Sequence, residues 1–387
     1  MLASSPNKIS SVTEKNMNYL IEEQQQLADL EPLFEQLGKQ SGTVAVDTEF
    51  LREKTYSAKL CLVQLGIAEH QYCIDVLAIE DLSLLIDLFA NQKILKLFHA
   101  ARQDMEVIYQ TLNVLPKPIF DTQLASAFCG GDMQQGYGAM VLERTSVELA
   151  KTQSRTDWTR RPLSADQIEY AGDDVAHLEE LYRQTQKLLE ENQRVDWYRQ
   201  EIETYYELDK YVIDPALAYK RLSGGSLKIK QQYMLKAMAE WREATAQKRD
   251  IPRSWVMRDE NLYDLVTQQP KNEQEIRDMD IFGRKSVVYL APLALEIMSN
   301  VTVSDERIWR KVDPLTKQEK GICSGLMKEL RIISETLGVA QGLLGTRKDI
   351  ESLFRHRQSE RLLSGWRKKQ VGEVLLAKLK EPGVYTP

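Results

Sequence analysis

The chain is poor in the residues that build disulfide-linked, zinc-binding and membrane-spanning proteins. Its 387 residues include only four histidines, which leaves little material for a zinc site. The four cysteines, Cys61, Cys73, Cys129 and Cys323, are far apart and lie in apolar contexts, so we expect buried free thiols. No stretch approaches the roughly eighteen uninterrupted apolar residues of a transmembrane helix.

Two functional signals are also missing. The chain has no Gly-x-x-x-x-Gly-Lys-[Ser/Thr] phosphate loop, which excludes a helicase motor, and we expect no nucleotide cofactor. Residues 1–16 are polar and lack the apolar core of an export signal, so we expect a disordered extension there. With no membrane segment and no export signal, the sequence predicts a cytoplasmic protein.

Charge is divided unevenly between the two halves of the chain. The net charge of −6 does not by itself favour nucleic-acid binding. Residues 1–209 carry 19 basic and 34 acidic side chains, whereas residues 210–387 carry 32 and 23. The basic half can therefore supply sequence-independent attraction to phosphates, although solvated helix faces would have the same composition.

Four carboxylates and one tyrosine form the most informative pattern in the chain. Asp47 and Glu49 end an apolar, β-branched run, and alternate residues of a strand project from one face. Tyr170 and Asp174 are four residues apart in a helix-like stretch, so they share one helix face. Asp104 lies between these two segments in the chain, in a third segment that also ends on a carboxylate.

The chemistry of gathered carboxylates points to divalent metal ions. Four negative charges in one site repel strongly unless cations neutralise them. Oxygen ligands of this kind suit Mg²⁺ or Mn²⁺ rather than zinc. Two such ions about 3.5–4 Å apart can activate a water and stabilise the departing oxygen of a phosphodiester. The pattern therefore predicts phosphodiester hydrolysis.

The same segments resemble a known group of nucleases. They are similar to the Exo I, Exo II and Exo III motifs of the DEDD exonuclease superfamily, and Tyr170-x-x-x-Asp174 resembles its tyrosine branch. Further phrases resemble the bacterial ribonuclease D family, and the likeness runs from about Met17 through nearly the whole chain. These phrases are Val46-Asp47-Thr48-Glu49-Phe50, Arg52-Glu53, Thr55-Tyr56, Cys61-Leu62-Val63-Gln64-Leu65, Phe120-Asp121-Thr122-Gln123, Asp157-Trp158 and Arg161-Pro162-Leu163-Ser164.

The order of apolar runs predicts an α/β domain followed by helices. Strands are indicated over Val44–Phe50, Leu60–Ile67, Gln71–Asp75 and Ile94–Phe98, with a short one near Ile119. Helices are indicated over Leu82–Phe89 and Ala101–Leu112, and after Ser164 as N-cap. Beyond Asp209 the helical stretches are Leu227–Gln247, Leu262–Val266, Glu273–Ile276 and Ser286–Ile297.

The resemblance implies a fold and a domain order that agree with this pattern. It implies a ribonuclease H-like 3′-5′ exonuclease domain, a mixed sheet flanked by helices, over residues 17–208. Two all-α HRDC-like bundles follow over residues 209–298 and 299–387. Trp241-Arg242-Glu243 and Asp250-Ile251-Pro252-Arg253 carry the likeness in the first bundle, and Gly365-Trp366-Arg367 in the second.

The resemblance also implies an activity. We expect a monomeric, metal-dependent 3′-5′ exoribonuclease that releases nucleoside 5′-monophosphates, with transfer RNA precursors as the substrate. Asp47, Glu49, Asp104 and Asp174 would hold two Mg²⁺ or Mn²⁺ ions, and Tyr170 would orient the attacking water. A DNA 3′-5′ exonuclease and a non-catalytic RNA-binding scaffold are the alternatives.

Other candidate residues are less specific. By family likeness Phe50, Arg52, Tyr56 and His99 would line the pocket for the terminal nucleotide. The polar and basic segment 151–162 either faces the substrate with Trp158 and Arg161 or forms a surface connection with Trp158 packed inward. Asp173 competes with Asp174 as a ligand but lacks the spacing from the tyrosine, and Asp121 suits a helix N-cap better than a metal site.

Overall fold

The computed structural model describes residues 17–150, 156–283 and 286–380. The extension expected at residues 1–16 therefore lies outside the described residues, as does the start of the basic segment at 151–155. An N-terminal α/β domain is followed by two helical regions. None of the helices in the described ranges is long and apolar enough to cross a membrane.

The N-terminal domain is built on a mixed sheet. Its strands are β1 Met17–Ile21, β2 Thr43–Leu51, β3 Lys59–Ile67, β4 His70–Ile74, β5 Leu95–Phe98 and β6 Ile119–Asp121. The order across the sheet is β1-β4-β3-β2-β5-β6; β2, β3 and β4 form an antiparallel meander, and the other strands add in parallel. The mixed sheet predicted from the sequence is thus confirmed.

The sequence pattern does not predict β1. Its residues pair in parallel with β4, from Met17 opposite His70 to Ile21 opposite Ile74. Its sequence, Met17-Asn18-Tyr19-Leu20-Ile21, has no clear alternation of apolar and polar residues, so the strand is defined by its pairing with β4 more than by a local pattern.

Helices cover the sheet and position its functional edge. They are α1 Gln24–Ala28, α2 Glu31–Gln40, α3 Ser83–Ala90, α4 Arg102–Leu112, α5 Thr122–Phe128, α6 Tyr137–Thr145, α7 Ala165–Ala176, α8 Leu178–Glu191 and α9 Val195–Glu203. The predicted cap of α7 is confirmed. The Ser164 hydroxyl accepts a hydrogen bond from the backbone amide of Gln167 at 3.2 Å, and the Gln167 side chain accepts one from the backbone amide of Ser164 at 3.0 Å. This helix packs against β2, β3 and β4.

The first helical domain has a core of its own. Its helices are α10 Ile229–Arg249, α11 Arg253–Val256, α12 Asp259–Gln268, α13 Glu273–Asp278 and α14 Val287–Ser299. The bounds of α10, α12, α13 and α14 lie within a few residues of the predicted helices, whereas the short helix α11 was not predicted. Leu235, Met238, Leu262 and Leu265 lie in its buried cluster, which is separate from that of the N-terminal domain.

The C-terminal helices share the core of the N-terminal domain. They are α15 Lys317–Leu337, α16 Gln341–Leu344, α17 Arg347–His356 and α18 Glu373–Lys378. One continuous apolar cluster contains residues of both regions. At their junction Trp366 stacks on Trp197, with ring centroids 4.7 Å apart, and Arg367 forms a 2.6 Å ion pair with Glu201.

Candidate active site

Three carboxylates meet where β2 faces α7. Asp47 and Glu49 lie two residues apart on β2, so their side chains leave the same face of the sheet. Asp174 comes from α7, and one carboxylate oxygen of each residue lies within 4.8 Å of the others. Of the two adjacent aspartates on α7, Asp174 rather than Asp173 joins this group.

Asp104 stands beside these three residues at the start of α4. Its carboxylate is buried and accepts a 2.6 Å hydrogen bond from the Thr48 hydroxyl. Its charge raises the pKa of Asp47 and Glu49, which places it within electrostatic reach of both. The four acids are called the acid cluster below. Sequence reasoning missed Thr48, because strand alternation points it away from the flanking acids.

Tyr170 reaches the acid cluster from α7. Its hydroxyl interacts with the carboxyl group of Asp174, one helical turn further on, and thereby lowers the pKa of that acid. The helix is fixed from the side by Tyr137, whose hydroxyl donates to the Asp173 carbonyl and accepts the His177 amide, both at 3.1 Å. Tyr137 lies in no recognisable motif, so no sequence signal marks this supporting role.

Burial raises the pKa of every member of the acid cluster, and repulsion by other members raises it further for Asp47, Glu49 and Asp174. Burial, then the charges of Asp174 and Asp104, raise the pKa of Glu49 to about 9. Burial is also the main cause that raises the pKa of Asp104 and of Asp174 to about 7. The pKa of Asp47 lies well above its usual range, first through burial and then through repulsion by Asp104. At neutral pH the four acids can all be ionised only if positive charge joins them.

The donors present fit a hard divalent cation. They are carboxylate oxygens, the ligands that Mg²⁺ and Mn²⁺ prefer. Directly opposite Asp47 on β3, the amide of Gln64 is fully buried, and neither its oxygen nor its nitrogen has a hydrogen-bond partner. Buried polar atoms of this kind need partners, and the waters of a hydrated cation are suitable ones.

Asp121 is a helix cap, as its sequence context predicts. Its carboxylate accepts the amides of Gln123 and Leu124 at the start of α5, at 2.9 and 3.1 Å. It also accepts the amides of Ala100 and Ala101, at 3.1 and 3.0 Å, just before α4 begins. Asp121 therefore fixes the start of the helix that carries the cluster's third acid, without belonging to the cluster.

The assignment of three residues to the pocket for the terminal nucleotide stays a prediction. They are Phe50, Arg52 and His99. Phe50 is half-buried and packs against the main core. Arg52 is 44 % exposed and lies 3.0 Å from a carboxylate oxygen of Glu106. The His99 ring contacts the Thr122 hydroxyl at 2.9 Å and a backbone carbonyl at 2.8 Å, and burial lowers its pKa. His99 is therefore held neutral and in a fixed orientation.

The side chains of Trp158 and Arg161 contact other parts of the protein and do not face an open surface. Trp158 is 3 % exposed, which matches the inward-packed alternative for its segment, and its ring lies 6.3 Å from that of Tyr170. The Arg161 guanidinium pairs with the buried Asp75 and donates to the carbonyls of Trp158 and Cys61, at 2.7 and 3.1 Å. Through these contacts Arg161 joins its loop to the mixed sheet. The structure therefore favours a role for both residues in holding this loop in place.

A cleft of about 900 Å³ is lined in part by residues that lie near the cluster acids along the chain. It separates the N-terminal domain from the first helical domain and is lined by basic, acidic and apolar residues of both. Arg52 and Glu106, each within three residues of a cluster acid, lie on one wall. Arg221 and Arg258 lie on the opposite wall, and both are exposed.

Comparison with protein families identifies both parts of this arrangement. A family model described as 3′-5′ exonuclease matches residues 21–190, and an HRDC domain model matches residues 231–297. The first match contains the complete acid cluster and Tyr170. The second contains most of the first helical domain.

Relatives named ribonuclease D match most of the chain. Ribonuclease D of Bartonella henselae is 33% identical over 355 residues, covering 90% of this chain and 87% of the relative. Ribonuclease D of Sphingobium indicum is 36% identical over 345 residues, covering 85% and 87%. The crystal structure of Escherichia coli RNase D superposes with a TM-score of 0.82 at 28% identity, covering 94% of this chain and 99% of the other. The chain therefore belongs to the ribonuclease D family and is a 3′-5′ exoribonuclease.

Proposed function

We propose that the chain hydrolyses RNA from its 3′ end with the help of two divalent cations held by the acid cluster. The supporting observation is the meeting of three carboxylates within 4.8 Å, with Asp104 beside them, in a site where each pKa is raised. Bound cations of this kind lower the pKa of a water and stabilise the oxygen that leaves. Mg²⁺ and Mn²⁺ are the candidates.

The chain's own residues would supply orientation. Asp47, Glu49, Asp104 and Asp174 are the proposed ligands, and Thr48 holds the carboxylate of Asp104 in place. Burial, with the charge of Asp174 next, keeps the pKa of Tyr170 far above neutral, so its hydroxyl keeps its proton. That hydroxyl can then position the attacking water. The products would be nucleoside 5′-monophosphates.

The substrate we propose is structured RNA with a 3′ extension, transfer RNA precursors being the specific case. The Escherichia coli relative is described as an exoribonuclease involved in structured RNA processing. In this chain the cleft between the N-terminal domain and the first helical domain is lined in part by Arg52, Lys210, Arg221, Arg253 and Arg258, which suits a phosphate backbone. We propose that the strand behind the terminal nucleotide lies in this cleft.

Substitution of one of two adjacent aspartates tests the metal assignment. Asp174→Asn removes a proposed ligand, and Asp173→Asn makes the same chemical change one residue away, outside the cluster. We expect Asp174→Asn to abolish release of mononucleotides from an RNA oligomer in Mg²⁺ or Mn²⁺, with RNA binding retained. Asp173→Asn should keep most of the activity.

Three outcomes would contradict the proposal. Substantial activity of Asp174→Asn, or full wild-type activity after removal of divalent metal, would contradict the metal assignment. Equal or faster digestion of a DNA oligomer of matched sequence would favour a DNA exonuclease.

A further inference from the structure

The loop between β2 and β3 has an anchor outside its own domain. Residues 52–58 follow Glu49 by three positions and carry Arg52 and Tyr56, both expected near the substrate. Inside the loop, the Thr55 hydroxyl donates to the Ser57 carbonyl at 2.6 Å. The hydrogen bonds that Tyr56 and Ser57 make outside the loop go to α10 of the first helical domain and to Asp250, the residue that follows it.

Asp250 holds the backbone of this loop. It follows the last residue of α10 in a left-handed conformation, with φ 46°. Its Oδ1 atom accepts the amides of Tyr56 and Ser57, at 3.0 and 3.1 Å. Two consecutive loop amides thus depend on one carboxylate that lies nearly two hundred residues further along the chain.

The Tyr56 side chain makes the second contact. Its hydroxyl donates to Glu243, whose side chain is 1% exposed, and accepts from the Gln247 amide at 3.1 Å. Gln247 also donates to the Ile213 carbonyl at 2.7 Å. Glu243 and Gln247 are four residues apart and Asp250 follows three later, so all three lie on one side of α10.

The burial of Glu243 makes this contact specific. A buried carboxylate is costly unless it is paired and hydrogen-bonded. Besides Tyr56, Glu243 has an Arg253 nitrogen at 3.5 Å. Burial first, and then the hydrogen bond to Glu243, raise the pKa of Tyr56 to about 12, so the phenol stays protonated as the donor.

We propose that Glu243 and Asp250 are positioning residues for the nuclease reaction, and that the first helical domain acts on catalysis by holding the β2–β3 loop. The loop continues directly from the strand that presents Asp47 and Glu49, and it carries Arg52 to its contact with Glu106. A loop held in one conformation presents its side chains to the terminal nucleotide without first being ordered, and small displacements of reacting groups are costly in rate.

This inference rests on the proposed function and makes a distinct statement about short substrates. A domain that only captures RNA would have no effect on an oligomer too short to reach it. A domain that holds the loop affects turnover of every substrate, including a trinucleotide.

The test uses substitutions in α10 of the full chain. Asp250→Gly removes the carboxylate at a left-handed position that glycine favours, so the helix end is preserved. Asp250→Asn keeps an oxygen acceptor at the same place. Tyr233→Phe is the control. Tyr233 also lies on α10, but its hydroxyl donates to the Glu306 carbonyl and not to the loop.

Two readouts are compared for each variant. Hydrogen exchange of residues 52–58 should accelerate in Asp250→Gly and stay unchanged in Tyr233→Phe. With a trinucleotide RNA and Mn²⁺, kcat should fall about 10-fold in Asp250→Gly with a smaller change in KM, because the loop is misplaced rather than the substrate unbound. Asp250→Asn should recover most of the rate, and Glu243→Leu should lower kcat as Asp250→Gly does.

The proposal is overturned if the loop exchanges faster in Asp250→Gly while kcat for the trinucleotide equals that of the wild type. It is overturned also if exchange does not change. An inactive wild-type protein would instead refute the proposed function, so the two failures are distinguishable.

Discussion

Tyr170 offers the cleanest single-atom test of the active site. Replacing it by Phe deletes the hydroxyl that interacts with Asp174 and changes the side-chain volume very little. If that hydroxyl positions the attacking water, single-turnover cleavage should slow by roughly 10²–10⁴, the range for a positioned proton-transfer group. RNA affinity, measured by a binding titration, should change little.

Tyr182→Phe is a suitable control for this change. Tyr182 lies on α8, where its ring packs edge-on against Phe120, away from the acid cluster. It should cleave at the wild-type rate. An unchanged rate in Tyr170→Phe would assign that tyrosine to helix packing.

The acid cluster should make the stability of the metal-free protein depend on pH. The folded-state pKa of Glu49 is about 9 and that of Asp174 about 7, each above its unfolded value. The folded state then binds more protons between about pH 4 and these values, so this contribution to stability falls as pH rises through that window. Added Mg²⁺ or Mn²⁺ should restore it, and more at pH 8 than at pH 5.

Thermal unfolding with and without metal measures this effect. Glu49→Gln removes one titrating group, so its metal-free Tm should fall less than that of the wild type between pH 5 and pH 8. Its gain on adding metal should also be smaller. Equal dependence of the metal-free Tm on pH in the two proteins would mean that Glu49 does not have a raised pKa in the folded protein.

Sequence reasoning identified the acids but not the residues that hold them. Strand alternation predicts that Asp47 and Glu49 share a face, and helix spacing predicts the same of Tyr170 and Asp174, whereas their joining in one site was implied by the family resemblance. Thr48 and Tyr137 act through contacts across the fold, and no local rule reports such contacts. The same limit applies to Tyr56: family likeness places it at the nucleotide, whereas the structure shows its hydroxyl bonded to Glu243.

Among the elements, α4 and α5 are joined at one buried carboxylate. Asp121 is 1% exposed and accepts backbone amides from both helix starts, as well as the Tyr205 hydroxyl at 3.2 Å. Asp121→Asn removes the charge and turns part of the acceptor into a donor. We expect the free energy of unfolding to fall by about 3 kcal/mol, because the cap and the charged hydrogen bonds are weakened together.

Activity should fall as well, because α4 carries Asp104. Asp214→Asn is the control: it weakens an exposed cap whose carboxylate accepts the Ala216 amide at 2.9 Å. It should cost less than about 1 kcal/mol and leave cleavage unchanged. Denaturant unfolding and cleavage at a temperature where both variants are folded would decide this. Similar losses for the two variants would contradict a joining role for Asp121.

The elements themselves were predictable where their pattern was long and local. The strands with apolar runs and the helices α10, α12, α13 and α14 lie close to their expected positions. The edge strand β1 carries no such pattern, and its pairing with β4 supplies the hydrogen bonds that define it. In this chain, therefore, an element can be predicted when its own residues carry the pattern, and not when pairing with a distant segment defines it.

At the scale of the whole molecule, the three regions are joined by different means. The first helical domain has a separate core and meets the N-terminal domain across the cleft and through α10. The C-terminal helices continue the main core: the Ala340 amide donates to the Ala127 carbonyl at 2.8 Å, and the Arg194 guanidinium binds the carbonyls of Leu337 and Gly338. Truncation after the N-terminal domain would therefore expose apolar surface, so the contribution of the basic half is better tested by substitution.

The basic wall of the cleft gives that test. If Arg221 and Arg258 contact phosphates, changing both to Gln should weaken binding of structured RNA and make it less dependent on salt. The slope of log affinity against log salt should decrease by about 0.7–0.9 for each phosphate that the protein no longer neutralises. Arg183→Gln with Lys187→Gln is the control, because it removes the same charge from α8, outside the cleft.

Binding is best measured in an Asp174→Asn background, where the RNA is expected to remain intact. The control pair should reduce affinity slightly at low salt, through net charge alone, and keep the wild-type slope, because neither residue neutralises a phosphate in the cleft. The double substitution of Arg221 and Arg258 should lower both the affinity and the salt slope. If the two pairs give the same slope, the cleft arginines contribute only to the general field of the basic half, and the RNA strand must follow another path to the acid cluster.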